Sequence, residues 1–285
     1  MGVLTSSYAG ILTIIIMLMV GSTIRIADVV ENLRKPRGLI IGFVGQMLLI
    51  PAIGFALAAT LGGTSCLALA IVAVVPGGVT STILTAAARG NTALSAMLTF
   101  LSNLLVVVWV PLLLALVPRI CGVDALAPGL DFAALAVRLA LVSAVPLLTG
   151  MALVALFPRF MGRIQPHLVP VAAVVFLIIV FWILWDDRAS LAGYVTGAGI
   201  LVPALMLLCG AGAWLVAGLA SLGAPTRIAL VFEWSVQNIP LAILVALTLG
   251  DVTTLALPAA AYGLQQMVVG LLVLIAVRRM PRLRA

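Results

Sequence analysis

From Tyr8 to Val277 the chain is a succession of apolar stretches, separated only by short charged or Gly/Pro-rich breaks. A membrane-spanning helix needs roughly 20 apolar residues. Reading between the breaks gives nine candidates, at 8–24, 38–60, 65–88, 92–118, 131–156, 168–185, 194–220, 227–249 and 252–277. With 65% hydrophobic and 8% charged residues and a mean hydropathy of +1.35, too little polar surface is left for a soluble domain. The expected fold class is an all-α polytopic membrane protein of about nine spans, a single transmembrane domain over 1–285. The first stretch starts close to Met1 without a basic start or a small-residue cleavage pattern, so it reads as a span and not as a removable signal peptide.

The net charge of +7 is distributed unevenly. With the N-terminus outside, Arg25, Arg34, Lys35, Arg37, Arg89, Arg159, Arg163, Arg227, Arg278, Arg279, Arg282 and Arg284 fall on one side. Arg119, Arg138 and Arg188 fall on the other, with Asp124, Asp131, Asp186, Asp187 and Asp251. The positive-inside rule then places the N-terminus outside and the C-terminus in the cytoplasm. The basic excess is a topology signal, and no nucleic-acid partner is implied by it. The C-terminal arginines read as a stop-transfer flank in preference to a lipid-binding patch.

Two of the spans are interrupted in their middles, at Pro76-Gly77-Gly78-Val79-Thr80-Ser81-Thr82 and at Glu233-Trp234-Ser235-Val236-Gln237-Asn238-Ile239-Pro240. In hydrocarbon such breaks are tolerated only where they line a protein-enclosed or watery site. Each frees carbonyls that an intact helix would consume, and sets hydroxyl, amide or carboxylate oxygens beside them. The breaks lie in spans three and eight, five crossings apart, so they enter the membrane from opposite sides as in an inverted repeat. Their flanks correspond: Arg89-Gly90-Asn91 with Thr92, Ser95 and Thr99 after the first, Gly250-Asp251 with Thr253 and Thr254 after the second. Two five-span repeats require ten helices. The first half, about 1–118, is therefore expected to lack its opening helix, with the second half over about 131–277.

Seven of the eight acidic residues lie in loops or at span ends; Glu233 alone is set within a span. A carboxylate there costs roughly 2.5–3.5 kcal/mol on insertion scales. It could pair with Arg227 or Arg138, carry a proton, or ligate a cation. Gln237 at i+4 and Asn238 beside it favour the last, because amides, hydroxyls and unwound carbonyls around one carboxylate suit sodium better than a proton. Gln46 in span two is either an interhelical hydrogen-bonding group or an ion ligand. Ser95 and Thr99, at i and i+4, share one helix face, although such hydroxyls also bond back to their own backbone. Cys66, Cys121 and Cys209 are odd in number and scattered, so neither a disulfide framework nor a metal cage is expected. His167, at the start of span six, has no evident partners. Gly38 with Gly42 and Gly193 with Gly197 have helix-packing spacing.

Pro76-Gly77-Gly78 followed by Ser81, Arg89-Gly90-Asn91 with Ala93-Leu94-Ser95, and Glu233 with Gln237-Asn238 together resemble the bile acid:sodium symporter family, over about residues 10–277. The resemblance implies a core of spans two to four and seven to nine containing the crossed broken helices. It also implies a panel of spans one, five and six, with substrate between the two and two sodium ions behind the crossing. Carried over, the first sodium site is Ser81, Thr82, Ser95, Thr99 and Glu233. The second is Gln46, Glu233 and Gln237 with backbone carbonyls near Trp234 and Val236. Family members commonly have Asn where this chain has Thr82, so the number of ions, one or two, stays open. Some bacterial members carry a His-Asn pair lining the cavity where this chain has Gln265-Gln266. Asn238, Gln265 and Gln266 are the expected substrate contacts.

The family's substrates are mostly organic anions, from bile acids to small carboxylates, and helix N-termini at a break favour a carboxylate. An arsenite-type exporter would want a cysteine at a break, and neither break has one. Enzymes fare no better: intramembrane proteases and prenyltransferases need buried histidine, paired aspartates or a second Asp-rich cluster. The reading is a sodium-coupled symporter of an organic anion in a bacterial-type inner membrane, in contact with lipid and with no protein partner implied; the alternative is a proton-coupled or uncoupled transporter of the same fold.

Overall fold

A computed structural model describes residues 2–24, 26–123, 130–186, 188, 189, 199, 201–249 and 255–279. Arg25, Asp124, Asp187, Gly193, Gly197, Gly250, Asp251, Thr253, Thr254, Arg282 and Arg284, on which parts of the sequence reading rest, lie outside the described residues. Every regular element among the described residues is helical: α1 (Gly2–Ser22), α2 (Ile26–Arg34), α3 (Pro36–Val44), α4 (Ile50–Ala58), α5 (Gly63–Val74), α6 (Val79–Ala87), α7 (Thr92–Leu114), α8 (Val117–Cys121), α9 (Phe132–Leu139), α10 (Val145–Leu156), α11 (Pro158–Asp186), α12 (Leu201–Leu219), α13 (Ala224–Ser235), α14 (Ile239–Leu249) and α15 (Leu257–Arg279). Five helices among them are long and apolar enough to cross a membrane: Pro36–Ala58, Thr92–Leu114, Phe132–Leu156, Leu201–Leu219 and Leu257–Arg279.

Two of these long helices contain a π-helical turn, Gly45–Leu49 between α3 and α4 and Ala140–Ala144 between α9 and α10. Each is followed by a proline, Pro51 or Pro146. Proline has no N–H and its ring displaces the carbonyl four residues back. The hydrogen bonding slips accordingly to i→i−5, with Ile50 N donating to Gly45 O and Val145 N to Ala140 O.

The breaks fall where the sequence predicts them. Val75, ahead of Pro76, is extended (φ −85°, ψ 132°), as the residue before a proline tends to be, and α5 ends there. Gly78 is extended at the start of α6, and Val236 (φ −117°, ψ 120°) ends α13. α14 then opens with Pro240 in its first turn, where no N–H is required.

α1 lies along α10 and also packs on α14 and α11; α4 lies along α5, α12 along α13, α7 packs on α9, and α6 and α7 pack on each other and on α13. The α1–α10 contact is backbone to backbone: a Cβ on Gly21 would stand 1.9 Å from Leu147 O, and one on Gly150 2.0 Å from Leu18 O. Gly38 and Gly42 serve packing too, facing Thr226, Leu94, Leu98 and Leu230.

The cysteine reading requires correction. Cys66, in the first turn of α5, and Cys121, at the end of α8, form a disulfide across 55 residues of sequence. The helical pair α5–α6 and α7 leaves and re-enters the same end of the molecule, so two cysteines remote in sequence meet. Scattered spacing hides this. Cys209 is a buried free thiol.

Candidate ion and substrate site

The broken helices cross at their interruptions. Gly77 pairs with Gln237 in an isolated antiparallel bridge, and Asn238 N donates to Pro76 O at 2.8 Å. The backbone groups that each break releases thus partly satisfy one another, as burial requires.

Glu233, in the last turn of α13, is fully buried beside this crossing. Its Oε1 accepts hydrogen bonds from the hydroxyls of Ser81 on α6 and of Ser95 and Thr99 on α7, the last at 3.1 Å; Thr99 Oγ1 also stands 3.3 Å from Oε2. Thr82 Oγ1 lies 3.0 Å from Ser95 Oγ. The five side chains expected at the first sodium site are therefore one hydrogen-bonded cluster of hard oxygens drawn from three helices. The candidate ion-pair partner Arg227 is turned elsewhere. Its guanidinium lies 3.8 Å from the centre of the Trp214 ring, and Nη2 donates to Trp214 O at 3.1 Å.

The second group surrounds Gly77. A Cβ at this residue would meet Gln46 Nε2 at 2.7 Å, Glu233 Oε2 at 3.1 Å and Glu233 O at 3.3 Å. Only glycine lets these groups converge. Gln46 sits on the π-helical turn, 3% exposed, and Gln237 is 2% exposed; the side-chain oxygen of each is buried without a hydrogen-bond partner. A carboxylate with the Gln46 amide beside it, and a second partnerless amide oxygen on Gln237 at the crossing, are of the kind a hard monovalent cation takes. Trp234 is pinned by Nε1 donating to Gly42 O at 3.0 Å, and Val236 lies in the break itself.

At the crossing a cavity of about 220 Å³ opens, lined by residues of α1, α11, α6, α14 and α15. Its lining is mostly apolar, including Ile16, Met19, Ile83 and Leu177, with Gln237, Asn238 and Gln266 at the crossing. Val79 and Thr80 at the start of α6, and Ile239 and Pro240 at the start of α14, turn two helix N-termini toward it.

Against known proteins, the family model described as "Sodium Bile acid symporter family" matches residues 10–193. The chain belongs to the sodium bile acid symporter family. It is a membrane transporter and not an enzyme. A protein of Bacillus subtilis (strain 168), named as the uncharacterized sodium-dependent transporter YocS, is 31% identical over 242 residues, 82% of this chain and 71% of the relative. The probable chloroplastic sodium/metabolite cotransporter BASS2 of Oryza sativa subsp. japonica is 35% identical over 152 residues. That covers 52% of this chain and 35% of the relative. BASS1 of Arabidopsis thaliana, of the same description, is 35% identical over 161 residues, 55% of this chain and 38% of its own length.

In this family member the three residues expected to contact substrate stand in different surroundings. Asn238 stands at the crossing, close to α1: Nδ2 donates to Asn103 Oδ1 at 2.9 Å and lies 4.0 Å from Met17 Sδ of α1, while Oδ1 accepts from Leu241 N at 3.3 Å. Gln266 lines the cavity, but its amide is committed. Oε1 accepts from Gln237 N at 2.8 Å and Nε2 donates to Gln237 O at 3.1 Å, bracing the second break. Gln265 is not brought to the cavity; its Nε2 donates to Gly199 O at 2.9 Å.

Asn103 is the residue the sequence reading missed. Fully buried on α7, it donates from Nδ2 to Gly77 O at 2.9 Å while its Oδ1 accepts from Asn238, so a single amide bridges both breaks. The signal was present, since Ser95, Thr99 and Asn103 continue the same i, i+4 series.

Proposed function

We propose that the chain couples entry of sodium to uptake of a small organic anion by alternating access. It has nine spans in a bacterial-type inner membrane, with the N-terminus outside and the C-terminus cytoplasmic. In this reading spans two to four and seven to nine form the core, and spans one, five and six form the panel. The observation that carries it is the cluster on Glu233: one buried carboxylate, three hydroxyls donating to it and a fourth in contact, all beside the crossing of two broken helices. A proton carrier needs the carboxylate alone; a sodium site needs the surrounding oxygens. The first ion is held by Ser81, Thr82, Ser95, Thr99 and Glu233. The second is held by Gln46, Glu233, Gln237 and carbonyls near Trp234 and Val236. The names of the relatives, a sodium-dependent transporter and two probable sodium/metabolite cotransporters, agree with this coupling.

The cavity narrows the anion's class. At about 220 Å³ it is below the roughly 300–1,000 Å³ usual for drug-sized ligands, and among the described residues no charged side chain lines it. Two helix N-termini supply the favourable field for a carboxylate, Asn238 supplies an amide, and the aliphatic walls take an apolar body. A small aliphatic carboxylate fits these features better than a steroid. Uptake of radiolabelled short branched-chain acids into proteoliposomes, in sodium and in potassium buffer, tests the proposal. Uptake undiminished in potassium contradicts it.

A further inference from the structure

Where α2 joins α3, on the arginine-rich side of the molecule, lies a second cavity of about 520 Å³. Its polar wall carries Lys35 and Arg37 with Asn91 and Thr226, and Glu31 stands at the same wall. Its apolar lining is Pro36, Ala93, Leu94, Leu222 and Ile40, the last an outward-facing side chain 58% exposed. Ile40 also begins an almost wholly apolar groove of about 540 Å³. The groove runs along α3 and α4 past Val44, Leu48 and Leu49 to Ala52, with Val216 of α12 as its far bank and Trp234 at its base. The twelve steps from Ile40 to Ala52, at about 1.5 Å each, make about 18 Å, close to one leaflet of a hydrocarbon core roughly 30 Å thick. A charged cavity and an apolar groove of leaflet length thus share one residue and form one continuous surface. α2 adds a third feature. It is a short amphipathic helix with Val30 and Leu33 exposed beside Arg34 and Lys35, the pattern of a helix lying in the membrane interface.

We infer that this surface is a binding site for an anionic phospholipid, its phosphate headgroup held by Lys35 and Arg37 and one acyl chain lying in the groove from Ile40 to Ala52. A zwitterionic lipid satisfies the groove but carries no net charge to Lys35 and Arg37. A free phosphate satisfies the cavity and leaves the groove bare. The inference is independent of sodium coupling and of the transported anion.

The test uses the full chain purified in detergent and stripped of lipid, with thermal unfolding followed on adding phosphatidylglycerol, phosphatidylcholine or inorganic phosphate. Phosphatidylglycerol is expected to raise the melting temperature at concentrations where the other two leave it unchanged. Removing two interfacial charges in Lys35→Gln/Arg37→Gln is expected to raise the phosphatidylglycerol concentration for half-maximal effect by at least about tenfold. Val216→Trp, which fills the groove from its outer bank, is expected to raise it similarly. Equal stabilisation by phosphatidylcholine, full stabilisation by inorganic phosphate alone, or an unchanged response in either folded variant overturns the assignment.

Discussion

Gly77 and Gln237 face each other across the crossing of the two interrupted helices, and the hydrogen atom in place of a side chain at Gly77 is what lets Gln46 and both oxygen types of Glu233 approach. A methyl group there would press on the Gln46 amide and the carboxylate together. Gly77→Ala is expected to destabilise the protein by about 1–3 kcal/mol, the usual cost of overpacking. It should also weaken stabilisation by sodium more than a substitution of equal cost elsewhere. Thermal unfolding in sodium and in potassium buffer separates the two effects.

Asn103 joins the breaks from α7. Asn103→Ala leaves Gly77 O and the Asn238 amide without their buried partner, each worth about 1–3 kcal/mol. Lower stability and impaired anion uptake are expected together, since Asn238 loses the contact that orients it. A variant that unfolds at the wild-type temperature contradicts this bridging role.

Thr82 is the point at which the proposed first ion site departs from the family's usual Asn; its hydroxyl lies 3.0 Å from Ser95 Oγ. In Thr82→Asn the amide carbonyl extends one bond beyond the threonine oxygen. The half-saturating sodium concentration is expected to fall about three- to tenfold, within the roughly 0.5–1.5 kcal/mol of one hydrogen-bonding group. Sodium titration of uptake reads it directly.

Two sodium ions with one monovalent anion move one net positive charge, worth about 2.3 kcal/mol per 100 mV. Uptake is then faster in proteoliposomes given an inside-negative potential. One sodium with one anion is electroneutral and indifferent to it.

The Cys66–Cys121 bond lies at the end of the molecule opposite the arginine-rich flanks of α3, α6 and α15, and disulfides persist on the oxidising side of a membrane. Mass tagging of the denatured protein isolated from intact cells is expected to find one free thiol before reduction and three after it. In a cysteine-free background, a cysteine placed at Arg163 should resist an impermeant reagent added from outside.

The fold's decisive features were legible because they violate what a membrane helix normally contains: Pro76-Gly77-Gly78 and a carboxylate at Glu233 have no place in an uninterrupted apolar span. Ser95 and Thr99 were legible from helical periodicity. Cys66 with Cys121 was not, since pairing depends on which helix ends share a face, a tertiary property. Gln266 illustrates a different limit. An amide beside a cavity reads as a ligand contact, while the structure uses both its ends to hold the backbone of Gln237. Asn103 was hidden by its apolar neighbours Leu104, Leu105 and Val106, although its register with Thr99 marked it.

The central claim is that Glu233 belongs to both ion sites, and sodium-dependent thermal stabilisation of purified Glu233→Gln beside the wild type tests it most directly. The wild type is expected to melt higher in sodium than in potassium at equal ionic strength. Glu233→Gln, which keeps the size and removes the charge, is expected to fold and to lose that difference, while Gln46→Ala and Gln237→Ala shift it to higher sodium concentrations. A folded Glu233→Gln protein that retains the full wild-type response to sodium would remove the carboxylate from the ion site and contradict the account.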